Sequence, residues 1–479
     1  MSPKIAIIGA GFGGLCMAIQ LEKAGIRSYT IFEKGDNVGG TWRDNTYPGA
    51  GCDIPSHLYS FSFEKYSSWT RRFPEQPEIL GYLERCADKY GVRPHLRLNT
   101  AVVAAVFEES LGKWRVRTAA GEELFDVLVS AVGQLNQPRL PDIPGMSTFN
   151  GTAFHSARWD HSVDLTGRRV AVIGSGSSAA QLIPKVAEVA DHLDVFQRTP
   201  NWVIPKADAV FGPGARAAFR YVPFLQRAYR EWIYRYAEIA LYPALAGGWS
   251  SDPLRKRALE HLHDQVPDPV LRAKLTPDYP VGCKRIVADS KFYPALTRPN
   301  VDVVTDRITR IVPGGVETAA GLHEADAIVY ATGFETSDFL VPIQVTGRGG
   351  RHLAEEWKDG AEAYLGIAVP HFPNLFLLYG PNTNLGHSSI VFMIECQVRY
   401  IMGCLPQLTA RGPMEVRPEK MATWRQSLEA AMERMVWQAG CTSWYKNAAG
   451  RVTNNWPGTT AAYRRITGAP DPDAFHFTR

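Results

Sequence analysis

The sequence predicts an α/β fold of two similar domains, each built on a parallel sheet, with a helical insertion in the second. Three observations predict this fold. An apolar run, a glycine-rich turn and a helical stretch follow one another at residues 4–23, and the same order returns from residue 169. A proline-rich segment, 137–145, separates the two copies. Residues 212–280 have the pattern of helices rather than strands.

The composition excludes several classes of protein. The chain has 479 residues, and 52 Lys and Arg against 48 Asp and Glu leave a net charge of +4. That near balance gives no support for a nucleic-acid partner. No run reaches the ~18 apolar residues of a membrane span. We therefore expect a cytoplasmic protein without a membrane span.

The seven cysteines are scattered along the chain, and none forms a Cys-x-x-Cys pair. No Cys and His cluster has the spacing of a zinc site. We therefore expect no metal centre. We also expect the reduced thiols of a cytoplasmic protein rather than disulfides.

The first domain opens with residues 4–8, whose continuous apolar run predicts a buried parallel strand. In the turn that follows, Gly9 permits the tight bend, Gly11 lets the backbone approach a pyrophosphate, and Gly14 lets helix and strand pack closely. The helix N-terminus then presents free N–H groups to the phosphates. Glu33 ends the next strand, where it can accept hydrogen bonds from a ribose diol. Because this acid disfavours a 2′-phosphate, the site should hold FAD or NAD.

The second domain repeats the strand and the turn, and its phosphate-binding residues are expected to be Gly174, Gly176, Ser177 and Ser178. The following strand ends in Arg198 and Thr199, with no carboxylate. A guanidinium group matches the geometry of a phosphate, so this site should prefer NADPH. Two Rossmann-like sites of opposite charge preference indicate a flavoprotein that carries FAD and is fed by NADPH.

The motifs place the domain boundaries. Residues 1–148 and 325–479 are expected to form a discontinuous FAD-binding domain, and residues 149–324 the NADPH-binding domain with its insertion at about 212–280. The insertion is rich in arginine and in the aromatic residues Phe219, Tyr221, Phe224, Tyr229, Trp232, Tyr234, Tyr236 and Tyr242. We expect these rings to pack on the nucleotide-binding domain. A helix lying on a membrane surface is the alternative.

Residues 149–160 carry Gly151, His155 and Trp159 in the pattern FxGxxxHxxxW(P/D). This pattern resembles the signature of type I Baeyer–Villiger monooxygenases, and the resemblance extends over nearly the whole chain. Its further motifs are Gly40-Thr41-Trp42 beside the flavin, the YPGxxCD segment ending at Asp53, the pair Lys284-Arg285, and the loop 380–387 containing Asn384. The loop is similar to that of the hydroxyacetophenone-monooxygenase-like branch, although the long N-terminal extension of some relatives in that branch is missing.

The resemblance implies an enzyme that uses NADPH and O2 to convert ketones to esters or lactones through a C4a-peroxyflavin, with sulfoxidation as a further reaction. It implies that Arg285 holds the anionic oxygen species and that Asp53 orients this arginine. Lys284 would join Arg198 and Thr199 at the 2′-phosphate. His155 and Trp159 would have a conformational role rather than act as a general base.

A helix over 388–405, begun by Ser388 and Ser389, is expected to point its N-terminus at the flavin. Trp437, Trp444 and Tyr445 are expected to line a pocket suited to a hydrophobic ketone. These residues do not separate linear, cyclic, aryl and steroid skeletons, and the sequence carries no signal of oligomeric state.

Three alternatives stay open at this point. A flavin-containing monooxygenase would act on sulfur or nitrogen, and Trp159 argues against it because that family usually carries Tyr or Phe there. A flavin disulfide reductase would need a Cys-x-x-Cys pair near the first turn. A non-catalytic nucleotide or redox sensor would have no need of Arg285 and Asp53.

Overall fold

The computed structural model describes residues 2–337 and 339–477, and it confirms the α/β fold. In chain order the strands are β1 Ile5–Ile8, β2 Tyr29–Phe32, β3 Leu96–Arg97, β4 Val102–Glu108, β5 Lys113–Thr118, β6 Gly121–Phe125, β7 Val127–Ser130, β8 Thr152–His155, β9 Arg169–Ile173, β10 His192–Phe196, β11 Val203–Ile204, β12 Val287–Ala288, β13 Val301–Val304, β14 Ile308–Val312, β15 Gly315–Thr318, β16 Gly321–Glu324, β17 Ala327–Tyr330, β18 Gln344–Thr346, β19 Leu375–Leu377, β20 Met414–Val416 and β21 Phe475–Phe477.

The helices, in the same order, are α1 Phe12–Lys23, α2 Thr41–Asp44, α3 Gln76–Lys89, α4 Ser177–Ala187, α5 Pro213–Tyr221, α6 Leu225–Tyr236, α7 Tyr242–Leu245, α8 Ser251–Gln265, α9 Pro269–Leu275, α10 Phe292–Leu296, α11 Leu353–Glu356, α12 Ile390–Arg411, α13 Pro418–Met432 and α14 Thr460–Ile466. A π-helical turn, Ala237–Leu241, joins α6 to α7. None of the helices in the described ranges is both long and apolar enough to cross a membrane.

The first unit is a five-stranded parallel sheet in the order β19-β7-β1-β2-β3. β1 is central and fully buried, because its two faces belong to two cores. Ile5 and Ile7 pack with α1 and α12, whereas Ala6 and Ile8 pack under the sheet β18-β4-β5-β6. A strand covered on both faces must be apolar throughout, which explains the unbroken apolar run at residues 5–8.

The second unit repeats this design with the parallel order β13-β10-β9-β17-β8. Helices α4 and α10 cover one face of β9, where Val170 and Val172 lie. The antiparallel sheet β14-β15-β16 covers the other face, where Ala171 and Ile173 lie. The twofold repeat of strand, turn and helix in the sequence is thus a twofold repeat of a sheet with two covered faces.

The boundary between the two units, expected at residue 325, is wrong because it assigns a strand of the second sheet to the first unit. The structure keeps β17, Ala327–Tyr330, inside the second sheet, hydrogen-bonded between β9 and β8. The second sheet would be split in two without this strand. The second unit therefore continues through Tyr330 before the chain returns to the first.

Two chain crossings connect the units, and they lie side by side. The backbone N–H of Arg139 donates to the carbonyl of Gly333 at 2.9 Å, and that of Glu335 donates to the carbonyl of Gln137 at 2.9 Å. The outgoing and the returning crossings therefore form a short two-stranded ribbon between the units.

The insertion is helical as predicted, and it comprises α5–α9 with the π turn. The expectation that its aromatic rings form a core is wrong for four of them. Tyr221, Phe224, Trp232 and Tyr236 are exposed. Helix α6 contacts the first unit through Gln226 and Arg230, whereas the ring of Trp232 stacks on the neighbouring rings of Tyr229 and Tyr236. A helix that contacts the protein along one face leaves rings on its other faces exposed.

Cys283 and Cys441 form a disulfide, which corrects the expectation of seven reduced thiols. They are 158 residues apart in the sequence, and their Cα atoms lie 6.3 Å apart in the fold. Spacing along the chain carries no information about such a pair, because long-range packing brings the loop after α13 against the segment before β12. The remaining described cysteines are free and buried, namely Cys16, Cys52, Cys86, Cys396 and Cys404.

Candidate active site

A cavity of about 2170 Å³ reaches from one glycine turn to the other and is lined by both units. Pockets for single small molecules usually have ~300–1000 Å³. This cavity therefore has room for two dinucleotides. Most of the residues singled out in the sequence line it, namely Gly9, Gly11, Glu33, Gly40, Thr41, Trp42, Asp53, Gly174, Gly176, Ser177, Ser178, Arg198, Thr199, Lys284, Arg285, Asn384 and Trp444.

The first turn has the tight geometry that its glycines predict. Gly9 has a φ of +102°, and a Cβ atom there would lie 2.6 Å from the carbonyl oxygen of Ala131. A Cβ atom on Gly14 would lie 1.9 Å from the carbonyl oxygen of Gly9. Gly11 is the N-cap of α1, so the free N–H groups of that helix face the cavity. Gly14 itself does not line the cavity; it serves the packing of helix on strand.

Glu33 is buried at the end of β2, with both carboxylate oxygens engaged. Oε2 accepts from the backbone N–H of Ala10 at 2.8 Å, and Oε1 accepts from that of Gly35 at 2.8 Å. Arg43 donates to Oε1 at 2.8 Å. Each oxygen has further acceptor capacity toward the cavity, and the N–H groups and the arginine fix the position of the side chain.

Gly40, Thr41 and Trp42 lie opposite the first turn. Gly40 has a φ of +54°, and a Cβ atom there would lie 3.0 Å from the Cα atom of Gly11. Thr41 and Trp42 begin α2. The indole N–H of Trp42 donates to the hydroxyl of Tyr59 at 3.1 Å, which fixes the ring at the cavity wall.

Helix α12 begins at Ile390 rather than at 388, and it extends beyond the expected end at 405 to Arg411. Ser389 caps it by accepting from the backbone N–H of Val391 at 3.3 Å. Ser388 lies just before the cap and lines the cavity, and its buried hydroxyl has no hydrogen-bond partner among the described residues. The same is true of Oε1 of Gln134. Two unsatisfied polar atoms thus face the cavity, as expected where a polar ligand binds.

The second turn reproduces the first. Gly174 has a φ of +120°, and a Cβ atom there would lie 2.4 Å from the carbonyl oxygen of Ala331. Gly176 caps α4, and Ser177 and Ser178 form its first turn. The N-terminus of α4 therefore offers N–H groups at the cavity, as that of α1 does.

Arg198 and Lys284 form a positive corner beyond the second turn, next to Thr199. Burial, reinforced by the charge of Arg198, lowers the pKa of Lys284. Its Nζ atom lies 4.6 Å from the centre of the Tyr279 ring. No ion pair within the described part of the chain involves either cation. The charge of Asp278 reaches Lys284 without an ion pair between them, and it opposes the lowering of the pKa. Two neighbouring cations, neither of them in an ion pair, form a site for an anion.

Arg285 and Asp53 form an ion pair at the junction of the two units, with Nη2 and Oδ2 2.5 Å apart. The carboxylate raises the pKa of Arg285 further, although burial opposes this. Burial alone would raise the pKa of Asp53, but the charge and hydrogen bond of Arg285, together with Lys206, bring that pKa below its ordinary value. Both groups are therefore charged over the physiological pH range.

Two buried tyrosines, Tyr379 and Tyr445, lie close enough to Arg285 to interact with its charge, and only Tyr445 was among the predicted site residues. Burial raises the pKa of Tyr445 to about 12 and also raises that of Tyr379, while the charge of Arg285 lowers both. The Tyr379 hydroxyl donates to Oδ1 of Asn384 at 2.7 Å, and Asn384 donates to Asn455 at 2.6 Å. Tyr379 was missed, although its position after a buried parallel strand is typical of a ligand site.

The signature residues lie outside the cavity lining, at the edge strand of the second sheet. A Cβ atom on Gly151 would lie 2.4 Å from the carbonyl oxygen of Asp326, so the close approach of these backbones requires glycine. Nδ1 of His155 accepts from the backbone N–H of Ala157 at 3.0 Å, and burial lowers the pKa of His155 to about 4. Trp159 packs edge-on against Phe154. His155 is therefore neutral near pH 7, and its conformational role stays a prediction.

Of the three aromatic residues expected in the substrate pocket, only Trp444 lines the cavity. Trp437 and Tyr445 are each 1% exposed and pack with Leu245 and Met432 in a small core below it. Large rings in a loop are buried where apolar side chains surround them, here those of Leu245, Met432, Met435 and Val452.

One group in the described chain could present three ligand atoms to a metal ion, namely His192, Asp194 and Asp302. These residues begin β10 and β13, whereas the glycine turns follow the carboxyl ends of parallel strands. The group is therefore remote from the cavity.

Comparison with known proteins gives a consistent result. The family model described as flavin-binding monooxygenase-like matches residues 2–228. A Baeyer–Villiger monooxygenase of Streptomyces coelicolor is 44% identical over 98% of this chain and 91% of its own length. One of Pseudomonas aeruginosa is 41% identical over 99% and 91%.

Solved structures agree. The crystal structure of cyclohexanone monooxygenase from Rhodococcus sp. Phi1 bound to NADP+ superposes with a TM-score of 0.87 at 29% identity, covering 97% of this chain and 96% of that one. The fold is thus shared over nearly the whole length of the chain. The chain belongs to the Baeyer–Villiger monooxygenase family.

Proposed function

We propose that the protein is an NADPH- and O2-dependent monooxygenase that converts hydrophobic ketones to esters or lactones. The observation that carries this proposal is the Arg285–Asp53 ion pair, which stands where one cavity joins two dinucleotide turns. A permanent cation at this junction is what an oxygen-transfer step on a carbonyl requires.

The residues of the first turn fit FAD. Gly9 and Gly11 leave room for the pyrophosphate, and Glu33 faces the ribose. The unpaired atoms of Gln134 and Ser388 can bind polar edges of the flavin ring. The N-terminus of α12 lies directly after Ser388, where its dipole favours the negative charge of a reduced flavin.

The residues of the second turn fit NADPH. Gly174 and Gly176 with the first turn of α4 would hold its pyrophosphate. Arg198 and Lys284 would hold the 2′-phosphate, with Thr199 as a hydrogen-bonding neighbour. These residues distinguish NADPH from NADH by charge.

The reduced flavin, when bound, supplies the electrons with which one atom of O2 enters the ketone and the other leaves as water. The chain's own contribution is electrostatic. Arg285 stays protonated and stabilises the negative charge that develops on the carbonyl oxygen. Asp53 fixes the guanidinium plane, because a charge-assisted hydrogen bond has a preferred direction. Tyr379 positions Asn384 at the same wall.

The substrate side is apolar near Trp444, Ile390 and Leu385, which suits a hydrophobic ketone. The dependence on NADPH accords with a cytoplasmic location. His155 needs no catalytic role here, because its neutral ring is held by Ala157 away from the cavity.

A ketone panel tests the proposal. The purified protein with FAD is given NADPH and 18O2 together with linear, cyclic, aryl and steroid ketones, and products are identified by mass spectrometry. We expect one 18O atom in an ester or lactone for at least one ketone. Sulfoxide without any ester from the panel would favour heteroatom oxygenation. Absence of NADPH consumption would favour the non-catalytic sensor.

A further inference from the structure

The helical insertion exposes an apolar surface that the active site does not use. We call it the insertion face and define it by Tyr221, Phe224, Trp232, Tyr236 and Ile239, which lie on α5, α6, the turn between them and the π turn. Phe224 is 75% exposed, Tyr221 71% and Ile239 63%. Val222 and Leu225, at the turn between α5 and α6, are exposed as well. Exposed apolar side chains grouped in this way mark an interaction surface.

The insertion face is not needed to attach α6 to the rest of the chain, because another side of this helix is already packed. Arg230 donates to the carbonyls of His57 at 2.5 Å and Ser60 at 3.0 Å. Gln226 donates to the carbonyl of Tyr66 at 2.6 Å, and Ile233 is buried. The helix is therefore fixed to the first unit, and its aromatic side points outward.

The charges around the insertion face decide between partners. Arg220, Arg227 and Arg235 are exposed on α5 and α6. Glu231 is the only exposed acid between 213 and 241, a fully described range, and it is paired with Arg235 at 2.7 Å. A symmetric contact between two copies of this chain would bring arginines against arginines. The excess of positive charge favours a partner with negative charge.

We propose that the insertion face binds peripherally to anionic phospholipid bilayers. Tyrosine and tryptophan side chains are favoured at the boundary between lipid and water, where an apolar ring and a polar group are both satisfied. Arginines beside them attract anionic headgroups. The combination of an aromatic face, flanking arginines and helices too short to cross a bilayer is typical of helices that lie on a membrane surface.

A series of side-chain contacts also leads from the insertion face to the cavity. Beyond Ile239 the chain continues into α7, where Leu245 contacts Gly386 and the ring of Tyr242 lies 5.3 Å from that of His387. His387 is held by Glu238 at 3.1 Å. These contacts reach the loop that lines the cavity, so a membrane-dissolved apolar ketone would have a short route to it. This last step rests on the proposed function, whereas membrane binding does not.

Vesicle flotation tests membrane binding without any turnover. The holoenzyme is mixed with vesicles of phosphatidylcholine alone or with phosphatidylglycerol added. We expect flotation with the anionic vesicles and weaker flotation at high salt. The double variant Phe224→Ser/Trp232→Ser should bind anionic vesicles about tenfold less tightly or worse. The variant Arg220→Glu/Arg227→Glu should lose the preference for anionic lipid.

The control is Leu111→Ser/Leu322→Ser, which removes an exposed leucine from the turn between β4 and β5 and another from β16, and this variant should float as the unmodified protein does. FAD content and NADPH oxidation verify that each variant is folded. Equal flotation of the unmodified protein and Phe224→Ser/Trp232→Ser would overturn the proposal. So would a concentration-dependent dimer, seen by sedimentation velocity and abolished by the same double variant, with no binding to vesicles.

Discussion

Arg285 and Asp53 are 232 residues apart in the sequence, yet their side chains share a hydrogen bond of 2.5 Å across the junction of the two units. This bond links the segment before β12 to the loop after α2. The arginine therefore keeps its place in the cavity only while the two units stay together, and several measurable properties depend on it.

Replacement of Arg285 should separate the two halves of the reaction. Arg285→Ala should still permit reduction of FAD by NADPH, because the second turn is intact, but ester formation should fall about 100-fold or more. Stopped-flow absorbance measures the reduction, and gas chromatography measures the ester. Retention of ester formation would rule out the role that we give Arg285. Arg285→Lys is the matched control for charge without the planar guanidinium group.

Asp53 should make stability depend on pH. Its folded-state pKa lies below the ordinary value, so its stabilising contribution is complete above that value, ~4, and is lost as the pH falls through the folded-state pKa. Asp53→Asn should lower the free energy of unfolding at pH 7 by about 2–4 kcal/mol, since it leaves Arg285 without its partner. Urea titrations at pH 7 and at lower pH should show a smaller acid-induced loss in the variant. An identical loss in both proteins would contradict this linkage.

Arg198 should decide which nicotinamide nucleotide is used. Arg198→Ala should raise the KM for NADPH about tenfold or more and leave that for NADH nearly unchanged, because only NADPH carries the 2′-phosphate. Steady-state oxidation of the two nucleotides gives the comparison. Arg139→Ala is the control, since Arg139 also lines the cavity but lies 3.7 Å from Glu335 in an ion pair. Equal effects of Arg198→Ala on both nucleotides would remove the phosphate assignment.

Two glycines of the second turn should respond differently to an added methyl group. Gly174→Ala should lower the stability of the protein by about 1–3 kcal/mol, because the Cβ atom meets a carbonyl oxygen and the φ is positive. Gly176→Ala has no atom within 4 Å of the new Cβ and should be nearly neutral for folding. Gly176→Ala should nevertheless weaken NADPH binding, because the backbone must approach the pyrophosphate there. Thermal denaturation and nucleotide titration separate these effects.

The disulfide predicts a thiol count. Under denaturing conditions without reductant, five thiols should react, and seven after reduction. Cys441→Ser should lower the free energy of unfolding by about 2–4 kcal/mol, since the bond closes a long loop. Seven reactive thiols before reduction would mean that the two cysteines are not paired.

The sequence predicts those features that local pattern determines. The apolar runs at 5–8 and 170–173 become central strands because both faces of each are covered. Each turn then begins with a glycine, Gly9 or Gly174, because the φ angle there is positive. The positions of Glu33 and Arg198 at the cavity can be predicted from the sequence, because each residue lies at the end of the strand that follows its glycine turn. The opposite charges at these two equivalent positions are the basis for proposing that each turn binds a different nucleotide.

The features that the sequence does not predict depend on contacts between distant segments. Cys283 and Cys441 carry no mutual signal, and neither do Tyr379 and Arg285. A ring such as that of Trp437 suits a pocket and a core equally well, and only the packing against Met432 decides for the core. Trp232 is the opposite case, a ring expected to be packed that is exposed. Helix α6 carries aromatic residues on several sides, so its sequence does not predict which side contacts the rest of the protein.

The paired crossings between the units have a consequence for how the enzyme can move. A single tether allows one body to swivel freely, but a hydrogen-bonded ribbon resists twisting about its own axis. The bonds of Arg139 to Gly333 and of Glu335 to Gln137 make the outgoing and the returning segment bend together. The ribbon, the disulfide between Cys283 and Cys441 and the ion pair of Arg285 with Asp53 therefore hold the unit carrying the second turn at three places, which restricts how far Arg198 and the turn at Gly174 can move relative to the first unit.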